Sequence, residues 1–274
     1  MKPVATIILN RNLPEPTDQL VEHVNKYDSD VTNVYVIEAG SDDDKLSKYC
    51  TWHIKSDDVR KTGMRYSRGM NFGLSQLYKD GMFENYEAFF LLTNDAELQD
   101  SSSLKPLMNI FEVHPRVGIL SPCSKLWGES LLLQKETTKY FWFIHNNAYL
   151  LRREFVDSVC ERNDPGAMNF LFDGDNFRGY GSESELIAKG YANDWAAAIT
   201  NEVWAEENQS YLLDKADLIK TESYDENLKL YVEQGLDWMH RKYGFNSRWS
   251  MNLYVKAFYD SFFDFHPEYL KFRI

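Results

Sequence analysis

Tyr86-Glu87-Ala88-Phe89-Phe90-Leu91-Leu92-Thr93-Asn94-Asp95-Ala96-Glu97-Leu98 is the stretch that decides the fold. Its apolar run, Ala88–Leu92, is too short for an ordinary helix and offers no polar face, which predicts a central strand covered on both sides. The run stops abruptly at Thr93, Asn94 and Asp95, with Glu97 two residues on. Ligands of an open α/β sheet bind just beyond the carboxyl ends of its strands, so Asp95 is expected at the mouth of a site. A carboxylate there, with a second oxygen ligand nearby, suits a hard divalent cation gripping phosphate oxygens. An Asn-Asp pair also simply turns a chain after a strand, and the rest of the sequence has to decide between the two.

Upstream, Val4–Leu9 predicts a first buried strand ending at Asn10-Arg11-Asn12. Pro14 and Pro16 predict a loop, after which Thr17 or Asp18 caps a helix to about Lys26. Val34–Ile37 predicts a second strand, ending in Glu38-Ala39-Gly40-Ser41-Asp42-Asp43. Strand, helix and parallel strand form a βαβ unit, whose two strand-end loops lie on one sheet edge. Thr51–Ile54 reads as a short third strand. Arg65–Leu74 reads as a basic loop running into a helix, with Met70, Leu74 and Leu77 at helical spacing.

Downstream, Ser101–Val113 predicts a helix and Val117–Leu120 a strand. Ser130–Gln134 and Tyr140–Ile144 read as further strands, Asn146–Leu151 as another apolar stretch, and Arg152–Val156 as the start of a helix. Asn163–Gly181 is a long Gly-, Asn- and Asp-rich loop, Glu183–Lys189 a helix ending at Gly190, and Ala196–Thr200 a last strand. The alternation predicts an α/β fold with a mostly parallel sheet flanked by helices. After Asp214, Leu228, Tyr231, Val232, Leu236 and Met239 recur at helical spacing, as do Met251, Tyr254, Val255, Phe258, Phe262 and Phe263. Residues 1–213 are therefore read as the main domain and 214–274 as a helical C-terminal extension, packed on that domain or on a second subunit of a homo-oligomer.

The chain has 274 residues and a formal net charge of -12, with 43% hydrophobic residues. Such a balance supports a large core and argues against an extended nucleic-acid surface or electrostatic docking to anionic lipid. Cys50, Cys123 and Cys160 are widely spaced and form no metal-type pair, which suits reduced thiols in the cytoplasm. No apolar run is long enough for a signal-peptide core or a membrane span. The expected location is cytoplasmic, or peripheral to a membrane.

The order of these segments resembles the family-2 glycosyltransferases of the GT-A nucleotide-sugar fold. Ile8-Leu9-Asn10-Arg11 resembles the opening strand of that family, and Val34–Asp43 its second strand and Gly-Ser loop. Arg68–Gly73 resembles its Asn-x-Gly helix start, and Leu91–Leu98 its acid motif. Val117–Pro122, Ala148–Phe155 and Phe172-Asp173 followed by Ser182-Glu183-Ser184-Glu185-Leu186 resemble later segments. Together they cover about Val4–Trp204.

The resemblance implies transfer of a sugar from a nucleotide-diphosphate donor to a glycan or lipid-linked acceptor, usually with inversion, in glycan or polysaccharide assembly. It implies donor contacts from Asn10, Arg11, Glu38, Arg68, Asn94 and Asp95, with Glu38 accepting from a ribose hydroxyl or a base N–H. Arg65 is a further phosphate candidate. Asp95, with Glu97, would hold a divalent metal, Mn2+ or Mg2+, that neutralises charge on the departing diphosphate. Glu183 takes the place of the catalytic carboxylate, a general base one methylene longer than the usual Asp. Acids also favour a helix start for electrostatic reasons alone.

One departure counts against metal dependence. Many relatives carry a histidine ligand near the position of Val203–Glu207, and here that stretch is Val203-Trp204-Ala205-Glu206-Glu207. Either an acid substitutes, or Asp95 and the phosphates hold the metal alone, or metal dependence is lost. His145 is a candidate for the acceptor pocket. The alternative function is a catalytically inactive GT-A-like nucleotide-sugar binding module.

Overall fold

The structure, a computed structural model, describes residues 2–144, 148–208, 210 and 222–274. His145 and the expected domain boundary at 213/214 lie outside those residues. The apolar run of the opening stretch is strand β4 (Ala88–Thr93), and Ala88 to Leu92 are all fully buried. It lies between β1 (Val4–Asn10), parallel to it, and β8 (Ala148–Arg152), antiparallel to it. Beyond β1 come β2 (Thr32–Ala39) and β3 (Cys50–Ile54), both parallel. On the other side follow β6 (Val117–Cys123) and the long β9 (Ala196–Glu207). Two short strands, β5 (Ala96–Leu98) and β7 (Thr138–Tyr140), add to β9.

The parallel half, β3-β2-β1-β4, is the part that makes a ligand edge. Asn10 is level with Glu38, and Leu9 with Thr93, so three strands end together. The antiparallel pairing of β5 with β9 sets Ala96 opposite Glu207. Just beyond that pairing, Asn208 N donates to the carbonyl oxygen of Asp95 at 2.8 Å.

Helices α1 (Pro14–Asp28), α2 (Asp57–Thr62), α3 (Arg65–Lys79), α4 (Leu104–Val113) and α5 (Arg153–Val159) connect these strands. Close packing of α3 is a matter of two glycines. A Cβ on Gly69 would meet Leu9 Cδ1 at 2.4 Å, and one on Gly73 would meet Ile37 Cδ1 at 2.7 Å. Between them, Asn71 binds the later loop by all its polar atoms. Its Oδ1 accepts from Leu171 N and Phe172 N, and its Nδ2 donates to Ala167 and Phe172 carbonyls. The loop 163–181 is thereby pinned in front of α6 (Ser182–Ala192).

The C-terminal stripes form α7 (Tyr224–Tyr243) and α8 (Arg248–Phe265). Val255, Tyr259, Phe262 and Phe263 of α8 belong to the main hydrophobic cluster, continuous with β4 and β6. The final residues return to β7, where Tyr140 stacks on Phe272 with centroids 5.3 Å apart.

Several local expectations are corrected. Pro14 and Pro16 lie in the first turn of α1, where a missing N–H costs nothing because those donors have no intrahelical acceptor. Arg65–Arg68 is the first turn of α3 and not a loop. Ser130–Gln134 is no strand: Glu129–Leu132 is a 3-10 turn with Leu131 exposed, and only Leu133 reaches the core. An apolar run without a neighbouring strand carries no β signal of its own. Strand β7 stops at Tyr140, short of Ile144, and α6 runs past Gly190.

Candidate active site

At the carboxyl edge of the parallel strands, three polar residues form one chain. Asn94 Nδ2 donates to Asn10 Oδ1 (3.0 Å), and Asn10 Nδ2 donates to Glu38 Oε2 (2.9 Å). Ser41 Oγ also donates to Glu38 Oε2, and Ser47 N donates to Oε1 at 2.8 Å. Glu38 is 0% exposed, so this corrects the expectation of a carboxylate facing a ribose or base. Both its oxygens are committed inside, where an uncompensated charge would be costly, and they tie the loops after β1 and β2 together. Asn94 is the member of the chain nearest solvent.

Asp95 is 8% exposed, and its Oδ1 is buried without a hydrogen-bond partner. Burial raises its pKa above the usual carboxylate range. It lines a cavity of ≈ 240 Å³ with Glu97, Asn208 and His23. Glu97 is exposed and accepts a hydrogen bond from Asn208 Nδ2. An orphaned carboxylate oxygen fits one metal ligand. Among the described residues, however, no three His, Cys, Asp or Glu side chains converge as a metal site. In the stretch without histidine, Glu206 is already taken, by Ser124 Oγ at 2.6 Å and Lys125 N at 2.6 Å. What these residues offer a cation is thus the open Oδ1 of Asp95.

On the other side of Asn94 lies a cavity of ≈ 130 Å³ lined by Asn10, Arg11, Gly63, Met64 and Arg65. Arg11 Nη2 donates to the carbonyls of Arg60 (2.9 Å) and Lys61 (3.2 Å), closing the end of α2. Arg68 Nε donates to Gly174 O at 2.8 Å, and its guanidinium lies 4.8 Å from the Phe177 ring centroid. The first turn of α3 thus lines the cavity with Arg65, meets the loop before α6 with Arg68, and faces the interior with Tyr66 and Ser67.

Glu183 sits in the first turn of α6, behind Gly181 at φ +77°, a left-handed backbone that an L side chain rarely adopts. It is 5% exposed. Its Oε1 accepts from Arg248 Nη2 of α8 at 2.6 Å, and its Oε2 is buried with no partner. Burial raises its pKa, and the Arg248 charge opposes that rise. The hydroxyls of Tyr66, Tyr149, Ser67 and Ser182 are likewise buried without a partner. After burial, the charge of Glu183 is the next cause raising Tyr66 and Tyr149.

The other acids nearby are neutralised from α7. Lys242 Nζ lies 2.5 Å from Asp173 Oδ2 and 2.6 Å from Glu185 Oε1. Tyr243 Oη also donates to Glu185, and Trp238 Nε1 donates to Asp173 at 3.0 Å. These C-terminal partners had no motif to announce them; the only sequence signal was the density of Trp, Tyr and cationic residues around Trp238–Arg248.

The strand order and the helices around the sheet define a class: the chain has the GT-A fold. Among solved structures it is similar to the mannosyltransferase PcManGT from Pyrobaculum calidifontis in complex with GDP-Man and Mn2+, with a TM-score of 0.53, 12% identity and coverage of 94% of this chain and 74% of that one. It is similar to S. aureus TarS 1–349 in complex with UDP, with a TM-score of 0.52, 12% identity and coverage of 89% and 73%. GalNAc-T7 with UDP, GalNAc and Mn2+ gives a TM-score of 0.54 at 10% identity, over 96% of this chain and 56% of that one. No family model matches the chain, and no curated protein matches it. At these identities the likeness is one of fold.

Proposed function

We propose that the chain is an inverting glycosyltransferase that moves a sugar from a nucleotide-diphosphate donor to an acceptor hydroxyl. The observation that carries this reading is Glu183 Oε2, a buried carboxylate oxygen without a partner, set among buried hydroxyls and held from behind by Arg248. The acceptor O–H would lose its proton to Oε2 as its oxygen bonds to the anomeric carbon and the bond to the diphosphate breaks. Asn94, Arg11 and Arg68 would contact the donor, with Asn10 and Glu38 positioning Asn94 from below. A divalent cation bound through Asp95 would offset the negative charge of the leaving diphosphate.

The test is transfer and donor hydrolysis across a panel of nucleotide sugars, with and without Mn2+. Turnover with none of them, and no binding of nucleotide diphosphates, would remove this function. Asp95→Ala is expected to abolish the Mn2+-dependent part of nucleotide binding in calorimetric titration. Equal affinities in wild type and variant would take Asp95 out of the metal site.

A second reading, a nucleotide-sugar binding module without turnover, is favoured by one fact: Arg248 already occupies one oxygen of Glu183. It predicts nucleotide binding in the panel and no transfer. The pH profile adds a further check on the ion pair. A base must be deprotonated, so the rate falls as pH drops through the raised Glu183 pKa. Arg248 lowers that pKa, so Arg248→Gln is expected to move the acid limb of kcat/KM to higher pH. An unmoved limb would mean that the limb reports another group.

A further inference from the structure

Among the described residues, Arg65 and Arg178 both reach one carboxylate, that of Glu222, with Arg11 close by. Arg178, whose side chain is 5% exposed, uses every nitrogen. Its Nη2 donates to Glu222 Oε1 (2.5 Å), its Nη1 to Asn227 Oδ1 and its Nε to Gln234 Oε1 (3.2 Å). Arg65 Nη2 donates to the other oxygen of the same carboxylate, Glu222 Oε2, at 3.2 Å. Its Nε is buried with no partner, and so is the Nε of Arg11. Arg65 also holds φ +55°, a strained backbone for a non-glycine residue that persists only where its surroundings impose it.

The electrostatics agree with that geometry. Burial pushes Arg65 down to about 10; the neighbouring Arg178 and Arg11 charges push the same way, against the pull of Glu222. Glu222 is held below the usual carboxylate range, first by its hydrogen bond from Arg178. One carboxylate therefore serves cations that repel each other. Two linked phosphates bring more negative charge and more acceptor oxygens than one carboxylate, and planar guanidinium forks bind phosphate bidentately. Arg65 joins this cluster to the cavity that it lines with Arg11 and Asn94.

We propose that Arg65 and Arg178 form an anion subsite for the donor diphosphate, and that Glu222 is a built-in competitor that the diphosphate must displace. The inference rests on the proposed donor chemistry for the identity of its ligand, and on the arginine geometry for its existence. Donor binding then exchanges one anion for another in the same forks, so the affinity measured in the wild type is the intrinsic affinity reduced by the internal carboxylate.

The experiment is calorimetric titration without metal, using inorganic pyrophosphate, UDP and GDP, on wild type, Glu222→Gln and Arg65→Gln. Glu222→Gln is expected to bind pyrophosphate roughly tenfold or more tightly than wild type, the scale of one charge-assisted hydrogen bond. Arg65→Gln is expected to weaken pyrophosphate binding by about the same factor or more. Unchanged or weaker binding by Glu222→Gln overturns the competitor role, as does a lowered melting point with unchanged affinity, which would make Glu222 a purely structural partner. Absence of pyrophosphate binding in all three proteins overturns the subsite. The two readings fail separately. Nucleotides that bind wild type with no gain in Glu222→Gln leave the donor chemistry standing and remove the competitor. A pyrophosphate response without added affinity for UDP or GDP leaves the subsite standing and removes the nucleotide.

Discussion

Glu183→Gln is expected to lower turnover by ~100- to 10,000-fold while leaving nucleotide affinity unchanged. The amide keeps the size of the side chain and can still face Arg248, but it cannot take a proton. General-base catalysis is a transition-state effect, so kcat and kcat/KM should fall together. The proposed donor contacts, Asn94, Arg11 and Arg68, do not include Glu183, which is why affinity is expected to hold. Paired measurements decide the matter: turnover with a working acceptor, and titration with the nucleotide. Retained turnover would move the base elsewhere. The notable point is that the nearest substitutes, Asp173 and Glu185, are already ion-paired with Lys242. Loss of both turnover and affinity would instead make Glu183 a structural acid.

A chain ending at Tyr243 is expected to be insoluble or to lose cooperative unfolding. Such a chain lacks α8, and with it Val255, Tyr259, Phe262 and Phe263, each 2% exposed or less in the main core. Truncating a single buried Phe to Ala typically costs about 3–5 kcal/mol, and whole domains are stable by only about 5–15 kcal/mol. Removing several such side chains at once exceeds that margin. It also leaves Tyr140 and Tyr191 uncovered, since both pack against Phe262. Size-exclusion chromatography and thermal melting test this directly. A soluble monomer with the wild-type melting point would show that residues 244–274 are dispensable for the fold.

Much of the fold was legible because short apolar runs with abrupt polar ends mark buried parallel strands. Ala88–Leu92 and Val4–Leu9 are of that kind, and Asn10, Asn94 and Asp95 followed from where such strands end. What a strand-end residue does is a different matter. Glu38 and Asp95 look alike in sequence, yet one has both oxygens bonded by internal donors and the other has an oxygen with none. The difference depends on loops such as Ser41–Ser47 folding back, which no local pattern records. Arg65 opens α3 where the sequence reads as loop, because an arginine-rich start looks the same whether or not the helix has begun. Arg178, Glu222 and Arg248 were missed because their partners are distant in the chain, and ion pairs of that span leave no spacing to detect.

The ties on α6 and on the loop before it have a consequence for the order in which the protein is made. Glu183 meets Arg248 across 65 positions, Glu185 meets Tyr243 across 58, and Asp173 meets Lys242 across 69. Synthesis runs from the N-terminus, and segments fold as they emerge. The sheet, the donor edge and α6 are all complete in the nascent polypeptide before any of those partners has been translated. Until then two acids at the start of α6, and Asp173 in the loop before it, have no cation supplied from α7 or α8. The carboxylate proposed to do the chemistry thus gains its counter-charge only after the sheet and its own helix have already been made.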